Sequence, residues 1–274
     1  MRGGLFAYKG SGKEARRYVE SDHSVHSGAY YLQEGRGVAE HFTVSGATGE
    51  VLARAELNGE QYEAWVEGAD PHSGELKGRL RNDDHAVRFV ELIVNGPKTW
   101  SLAAAIHPDI ATAYDAAQDR SVEAVARFLA REVTTRVGGR GKQMQQHVDE
   151  VSIAAIRHYT SRAGDPHRHI HFQVNARVLA GGKWRGLDSA AMWNMQRAIR
   201  GIGHRSVLAD PRFRQALARH GYTLRADGEL TQLADVVKPM SKRSKQVEMN
   251  LASYERDWLK RHPGEEPGLA LRRL

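Results

Sequence analysis

Arg157-His158-Tyr159-Thr160-Ser161, followed by Asp165-Pro166-His167-Arg168-His169-Ile170-His171-Phe172-Gln173-Val174-Asn175, is the stretch on which the reading of this chain turns. Residues 168–175 alternate charged or polar side chains with apolar ones, the period of a half-buried strand. Positions two apart on a strand share a face, so His169 and His171 aim together. His158 follows a second apolar run, residues 153–156, and precedes the turn-like Ala163-Gly164-Asp165-Pro166. If the two runs pair as neighbouring strands, three neutral imidazoles converge. Such a set makes an open metal site with positions left for water or a phosphate oxygen. A His-x-His pair by itself occurs by chance in many sheets; the third histidine tips the reading toward metal. His167 is assigned to the opposite strand face or to the turn.

Upstream, residues 87–94 are apolar on both alternations, which predicts a central strand covered on both sides. Glu91 sits in its middle. A buried carboxylate is costly unless paired, so Glu91 should face a cation, a histidine or a metal. Asn95-Gly96-Pro97 ends this strand and Lys98 begins a helix. After His107-Pro108-Asp109 a long amphipathic helix is expected to run to about Arg136, with Ile110, Tyr114, Ala117, Val125, Phe128 and Leu129 facing the core. The glycine-rich residues 36–80 read as short strands and hairpins with one helix near 61–66, a peripheral elaboration.

At the N-terminus, residues 5–8 read as a strand. Gly10-Ser11-Gly12-Lys13 is not a phosphate-binding loop, because Ala7 stands where the first glycine is needed and Glu14 follows the lysine. Ser11 and Glu14 instead form a Ser-x-x-Glu capping box. The helix they open carries Arg16, Arg17 and Tyr18 and fades near Asp22. Tyr18 is either a packing aromatic or a functional one, since the two arginines would lower the cost of a nearby phosphate or phenolate. Tyr30-Tyr31 follow a flexible link. Downstream, Ala180-Gly181-Gly182-Lys183 is a hairpin turn with Trp184 opening the return strand. Helices are expected near 189–199 and 212–220, then a basic run over 238–245 and a tail, helical then polar, from Ser253.

The 274 residues carry a formal charge of +7 and a pI near 9.7, which points to an anionic partner. Nucleic acid is the first candidate and an acidic membrane surface the rival. The chain has no cysteine, which excludes disulfides and thiolate metal sites and fits the reducing cytoplasm. The N-terminal segment lacks a sustained apolar run, so neither a signal peptide nor membrane insertion is expected.

Taken together, His158-Tyr-Thr-Ser161, Asp165-Pro166, His169-Ile-His171 and Asn175 resemble the three-histidine signature of the MobF, or TrwC-type, conjugative relaxases. These belong to the His-hydrophobic-His (HUH) endonucleases. Gly96-Pro97-Lys98-Thr99 resembles that family's Ala-Pro-Lys-Ser stretch, and Ser241-Lys242-Arg243 a later basic segment. Tyr18 stands where the family keeps its first nucleophilic tyrosine, and Tyr30-Tyr31 where it keeps a second pair. The resemblance spans nearly the whole chain, in order. Two positions depart from the pattern: Glu91 stands where the family usually has aspartate, and Val19 follows Tyr18 where relatives commonly double the tyrosine.

The resemblance implies an α+β fold. Its central antiparallel sheet bears the histidines, helices pack mainly on one face, and mobile C-terminal elements, about residues 232–274, close over DNA. It implies a single relaxase domain over 1–274, without the helicase that usually follows. The implied reaction is strand-specific nicking and rejoining of single-stranded DNA at a plasmid or mobile-element transfer origin. In it, His158, His169 and His171 hold a divalent metal, Mg²⁺ or Mn²⁺ first, with Zn²⁺ or Ni²⁺ also suited to imidazoles. Tyr18 attacks phosphorus to leave a 5′-phosphotyrosyl link, Glu91 orients a histidine or takes the phenol proton, and Tyr30 or Tyr31 serves a second transfer. Lys98, Arg162, Arg168, Lys183, Arg185, Lys242 and Arg243 are the candidate phosphate contacts. Implied partners are an adjacent DNA hairpin, relaxosome accessory proteins and a secretion-system coupling protein. The rival readings are a rolling-circle replication initiator or transposase with the same chemistry, a non-catalytic DNA-binding module, and a metal hydrolase of small substrates.

Overall fold

The computed structural model describes residues 5–21, 37–79, 83, 86–139 and 141–266; Tyr30 and Tyr31 lie outside the described residues. Among them, one antiparallel sheet organises the chain, in the order β1 (Leu5–Tyr8), β4 (Phe89–Asn95), β8 (Pro166–Asn175), β7 (Glu150–Thr160), β2 (Ala39–Ser45), β3 (Val51–Leu57). A hairpin of β9 (Arg177–Ala180) and β10 (Lys183–Gly186) joins β7 at Glu150, and β5 (Thr134–Val137) pairs with β6 (Met144–His147) apart from the sheet.

Strand alternation divides the sheet into two unlike faces. Ile170, Phe172 and Val174 of β8 join Val90, Leu92 and Val94 of β4 and Ile153 of β7 on one face. The long helices α4 (Pro108–Glu132) and α5 (Ser189–Leu208) cover that face with Val122, Val125, Leu129, Met192 and Ile199. Behind them, Trp100 and Leu102 of α3 (Lys98–Ile106) pack with Ile110, Tyr114 and α6 (Pro211–Arg219) in a second apolar cluster. The opposite face carries His169, His171, Gln173 and Asn175. It is covered by α1 (Gly12–Ser21) and α2 (Gly59–Val66), whose Ala15, Val19, Tyr62 and Trp65 pack on Phe89, Ala154 and Ile156.

The apolar face fixes the register. Slipping β8 by one residue would drive three histidines into the aliphatic core and expose Ile170, Phe172 and Val174 to the polar side. Truncating the fully buried Phe172 to alanine would cost about 3–5 kcal/mol from lost burial and the cavity left behind.

Three expectations need correction. Residues 36–80 are not peripheral: β2 pairs with β7 over six residues, and α2 inserts Tyr62 and Trp65 beneath the histidine face. The long helix stops at Glu132 because the β-branched Val133-Thr134-Thr135 favours extended backbone, and from Thr134 the chain pairs with β6. The last helix, α7 (Lys242–Arg261), begins well before Ser253 and buries none of its residues.

Candidate metal centre

Antiparallel pairing places His158 directly opposite His169, and Ile156 opposite His171. The turn between the strands is closed by Ser161 N–H donating to the Asp165 carbonyl at 2.8 Å, with Gly164 at φ 76°, which an L side chain rarely adopts. The ring centroids of His158, His169 and His171 are 4.7, 5.0 and 5.2 Å apart, and each ring offers a nitrogen within 4.8 Å of the others. All three residues are buried.

Their protonation suits ligation. His169 Nδ1 lies 2.7 Å from the His167 carbonyl, which can only accept, so the proton sits on Nδ1 and Nε2 is left as a donor to metal. Burial, reinforced by the neighbouring His171 and His167, holds His169 well below its ordinary pKa and therefore neutral. His171 Nδ1 is 2.9 Å from Glu91 Oε1, although off the ideal hydrogen-bond line. His171 Nε2 is buried and has no hydrogen-bond partner among the described residues. A divalent ion fits this donor set: three buried imidazoles from two rigid strands, one with an unsatisfied lone pair.

Glu91 faces His171, one of the partners its buried position demanded. Its second oxygen accepts from Gln173 Nε2 at 2.9 Å, and Gln173 Oε1 accepts from the Tyr62 hydroxyl at 2.8 Å. Gln173 is the next residue on the histidine face of β8, a polar exception detectable in the sequence. Tyr62, contributed by α2, gave no such signal.

Tyr18 stands edge-on to His171, with centroids 5.9 Å apart and planes at 84°. Its helix opens with the expected capping box: Ser11 N–H donates to Glu14 Oε2 at 2.9 Å and Glu14 N–H to Ser11 Oγ at 3.3 Å. Two contacts hold α1 against α2. Gly12 N–H donates to Glu67 Oε1 at 2.6 Å, and Arg16 reaches Glu63 at 3.1 Å. A Cβ on Gly12 would lie 2.7 Å from the Glu63 carbonyl, so the approach requires glycine. Tyr18 and Glu91 line one hollow together with Tyr8, Phe89 and Ile93. The Arg162 guanidinium lies 5.0 Å from the Tyr18 ring centre.

A second hollow beside the β7–β8 turn is lined by Lys98, Asp165, His167 and Arg243. Burial lowers the Lys98 pKa, and Asp165 opposes that shift. The Arg243 backbone N–H donates to Asp165 Oδ2 at 3.3 Å, tying the start of α7 to this turn. His167 stacks on His169 at 4.7 Å, so the expectation that it lies on the other face or in the turn is corrected: it extends the histidine row on β8.

The remaining basic candidates are elsewhere. Arg168 points to the helix-covered side, where it bonds both oxygens of Asp115 at 2.6 and 2.7 Å and lies over Tyr159. Lys183 and Arg185 sit on the β9–β10 hairpin, at the end of β7 remote from His158, roughly 26 Å along the strand. Lys242 is exposed at the start of α7.

The model of the TrwC relaxase family matches residues 12–273. Among solved structures, the copper-bound conjugative relaxase TrwC in complex with oriT DNA aligns with a TM-score of 0.68 at 21% identity. Its metal-bound form aligns at 0.67 and 21%, and TrwC with a 27-mer DNA comprising the recognition hairpin and the cleavage site at 0.62 and 19%. Each alignment covers 99% of this chain and 88% of the other. No curated protein matches the chain. At these identities the structural likeness is one of fold.

Proposed function

This chain belongs to the TrwC relaxase family, and from that footing we propose that it nicks and rejoins one DNA strand at a specific transfer origin. Tyr18 is the nucleophile, and His158, His169 and His171 hold a divalent metal ion. The observation that carries the reading is the convergence of three buried imidazoles with the Tyr18 ring edge-on to one of them.

The Tyr18 phenol oxygen attacks phosphorus, the bond from phosphorus to the 3′ oxygen breaks, and that oxygen leaves as a 3′-hydroxyl after taking up a proton. The phenol proton passes to water or to Glu91. One phosphodiester replaces another, so the strand can be rejoined by the reverse attack without ATP. A metal ion bound by the histidines supplies Lewis-acid stabilisation of the charge developing on the phosphate oxygens. Three imidazoles with no carboxylate ligand favour Mn²⁺, Zn²⁺ or Ni²⁺ over Mg²⁺. Arg162 lowers the cost of the phenolate and of an approaching phosphate. Lys98, Arg243 and Lys242 follow the backbone of the single strand.

Solved TrwC structures hold oriT DNA, one with its recognition hairpin, and by likeness of fold the substrate here is a single strand beside such a hairpin. Residues 1–274 act as one nicking unit, with 232–274 as a clamp over the DNA. The absence of buried residues on α7 agrees with that role. Among the described residues no helix is long and apolar enough to cross a membrane. Accessory relaxosome proteins and a coupling protein complete the proposed assembly.

The test is to incubate the protein and Mn²⁺ with labelled single-stranded oligonucleotides tiled from its native mobile element, then run denaturing gels. A covalent protein–DNA band that disappears in Tyr18→Phe and His169→Ala is expected. A band surviving Tyr18→Phe moves the nucleophile elsewhere. Tight binding with no band on any oligonucleotide favours a non-catalytic binder, and cleavage confined to a replication origin favours the initiator reading.

A further inference from the structure

A buried chain of donors runs from α2 to the metal site: Tyr62 O–H to Gln173 Oε1 at 2.8 Å, Gln173 Nε2–H to Glu91 Oε2 at 2.9 Å, and His171 Nδ1 at 2.9 Å from Glu91 Oε1. Tyr62 and Gln173 are fully buried, and Glu91 and His171 nearly so. The backbone supports the arrangement. Glu91 and Gln173 are directly opposed on β4 and β8, and His171 is the next residue on the same face, diagonal to Glu91.

The chain has a fixed direction. A carboxylate only accepts, so Gln173 presents its amide nitrogen to Glu91 and its oxygen to Tyr62. Burial pushes the Tyr62 phenol above its ordinary range, so it remains a protonated donor. Turning the Gln173 amide over would set its oxygen against Glu91 and its nitrogen against a donor. Tyr62 and Gln173 are satisfied within the chain, and the last link, His171 Nδ1 to Glu91 Oε1, is a 2.9 Å contact off the ideal hydrogen-bond line.

We infer that Gln173 and Tyr62 are positioning residues for the metal ligand His171, acting through Glu91. Glu91 is held from behind by Gln173, so its other oxygen stays at His171 Nδ1, keeps the proton on that nitrogen and leaves Nε2 for metal. Through the oxygen nearest that ring, Glu91 orients His171. Tyr62 makes the loop-bound helix α2 part of the site. This rests on the proposed metal-binding role of the three histidines.

The test compares wild type, Tyr62→Phe and Gln173→Met, the latter preserving length and volume without hydrogen bonding. Two readouts are taken: Co²⁺ titration followed by visible absorption, and the His171 imidazole tautomer in metal-free protein by long-range ¹H–¹⁵N correlation. Wild type should show a single Nδ1–H tautomer. Gln173→Met should bind Co²⁺ about tenfold more weakly and show mixed tautomers, the size expected for losing an outer-shell partner of a ligand. Tyr62→Phe should shift both in the same direction by a smaller factor, with single-stranded DNA binding unchanged. Wild-type affinity and tautomer in both variants would overturn the inference. If Gln173→Met does not fold, Tyr62→Phe decides, because it removes one hydroxyl and leaves the Gln173–Glu91 pair in place. Failure of wild type to bind Co²⁺ would overturn the metal reading itself, while the tautomer of the metal-free protein would still decide the positioning role.

Discussion

His158 on β7 and His169 on β8 face each other across one antiparallel rung, with ring centroids 5.2 Å apart. A metal ion shared between them joins the two strands next to their turn, so ligation should be visible as stability. At a free concentration about 100 times its dissociation constant, a ligand specific to the folded state adds about 2.7 kcal/mol. For a chain of this size that corresponds to a rise of about 5–10 °C in Tm. Thermal unfolding with Mn²⁺ or Zn²⁺ and after chelation should show this rise in wild type and lose most of it in His158→Ala. No shift in wild type with any divalent ion would count against a metal at the histidines.

Arg162 lies over the Tyr18 ring, on the exposed turn after β7. Removing a cation there raises the cost of a phenolate and of the incoming phosphate. Arg162→Ala should slow formation of the covalent adduct on the order of tenfold, the scale of one partly solvated electrostatic contact. It should leave thermal stability nearly unchanged. A rate equal to wild type under single-turnover conditions would remove Arg162 from the site.

Arg168, six residues on, should behave oppositely. It is paired with Asp115, whose carboxyl burial pushes upward in pKa and whose other arginine, Arg157, is more distant at 3.7 Å. Arg168→Ala leaves that carboxylate poorly compensated, at a cost of about 2 kcal/mol in urea unfolding. The salt dependence of DNA binding should stay as in wild type. A reduced salt slope instead would restore Arg168 as a phosphate contact.

The contrast between these arginines shows what sequence could carry. The histidine cluster was legible because period-two alternation fixes which side chains share a face, and hairpin pairing fixes their partner. Glu91 was legible because an acid in an apolar strand must be paired. Arg168 sits between histidines in sequence, yet alternation sends it to the other face, where it meets Asp115; basic character by itself does not say which face a side chain takes. Tyr62 and the integration of β2, β3 and α2 were not legible, because they depend on long-range pairing of β2 with β7. Short glycine-rich segments carry little periodic signal for such pairing. The end of α4 is not legible either, because its hydrophobic period runs on past Glu132 into the β-branched residues that open β5.

His41, buried on β2 beneath the same face, gives the protein an acid-sensitive point away from the metal ligands. Its Nε2 lies 2.7 Å from Ser152 Oγ, which already accepts from Trp65 Nε1 at 2.8 Å, so the serine hydroxyl is left to donate to a neutral imidazole. Burial chiefly, then Lys77 and His72, lowers the His41 pKa to about 4, while Asp70 pulls the other way. In the unfolded chain the value returns to about 6.5, so below that pH the unfolded state takes up a proton that the folded state refuses. The stability due to neutral His41 is therefore complete above about pH 6.5 and is lost as pH falls toward 4, with about 2 kcal/mol gone between pH 7 and 5. His167, also lowered to about 4 by burial, adds a slope of the same sign in any variant that retains it, so the informative quantity is a difference. Urea unfolding of wild type and His41→Gln at both pH values should show a smaller acid loss in the variant, even though the variant is less stable at pH 7. Equal losses in the two proteins would mean that His41 does not titrate in this range on unfolding.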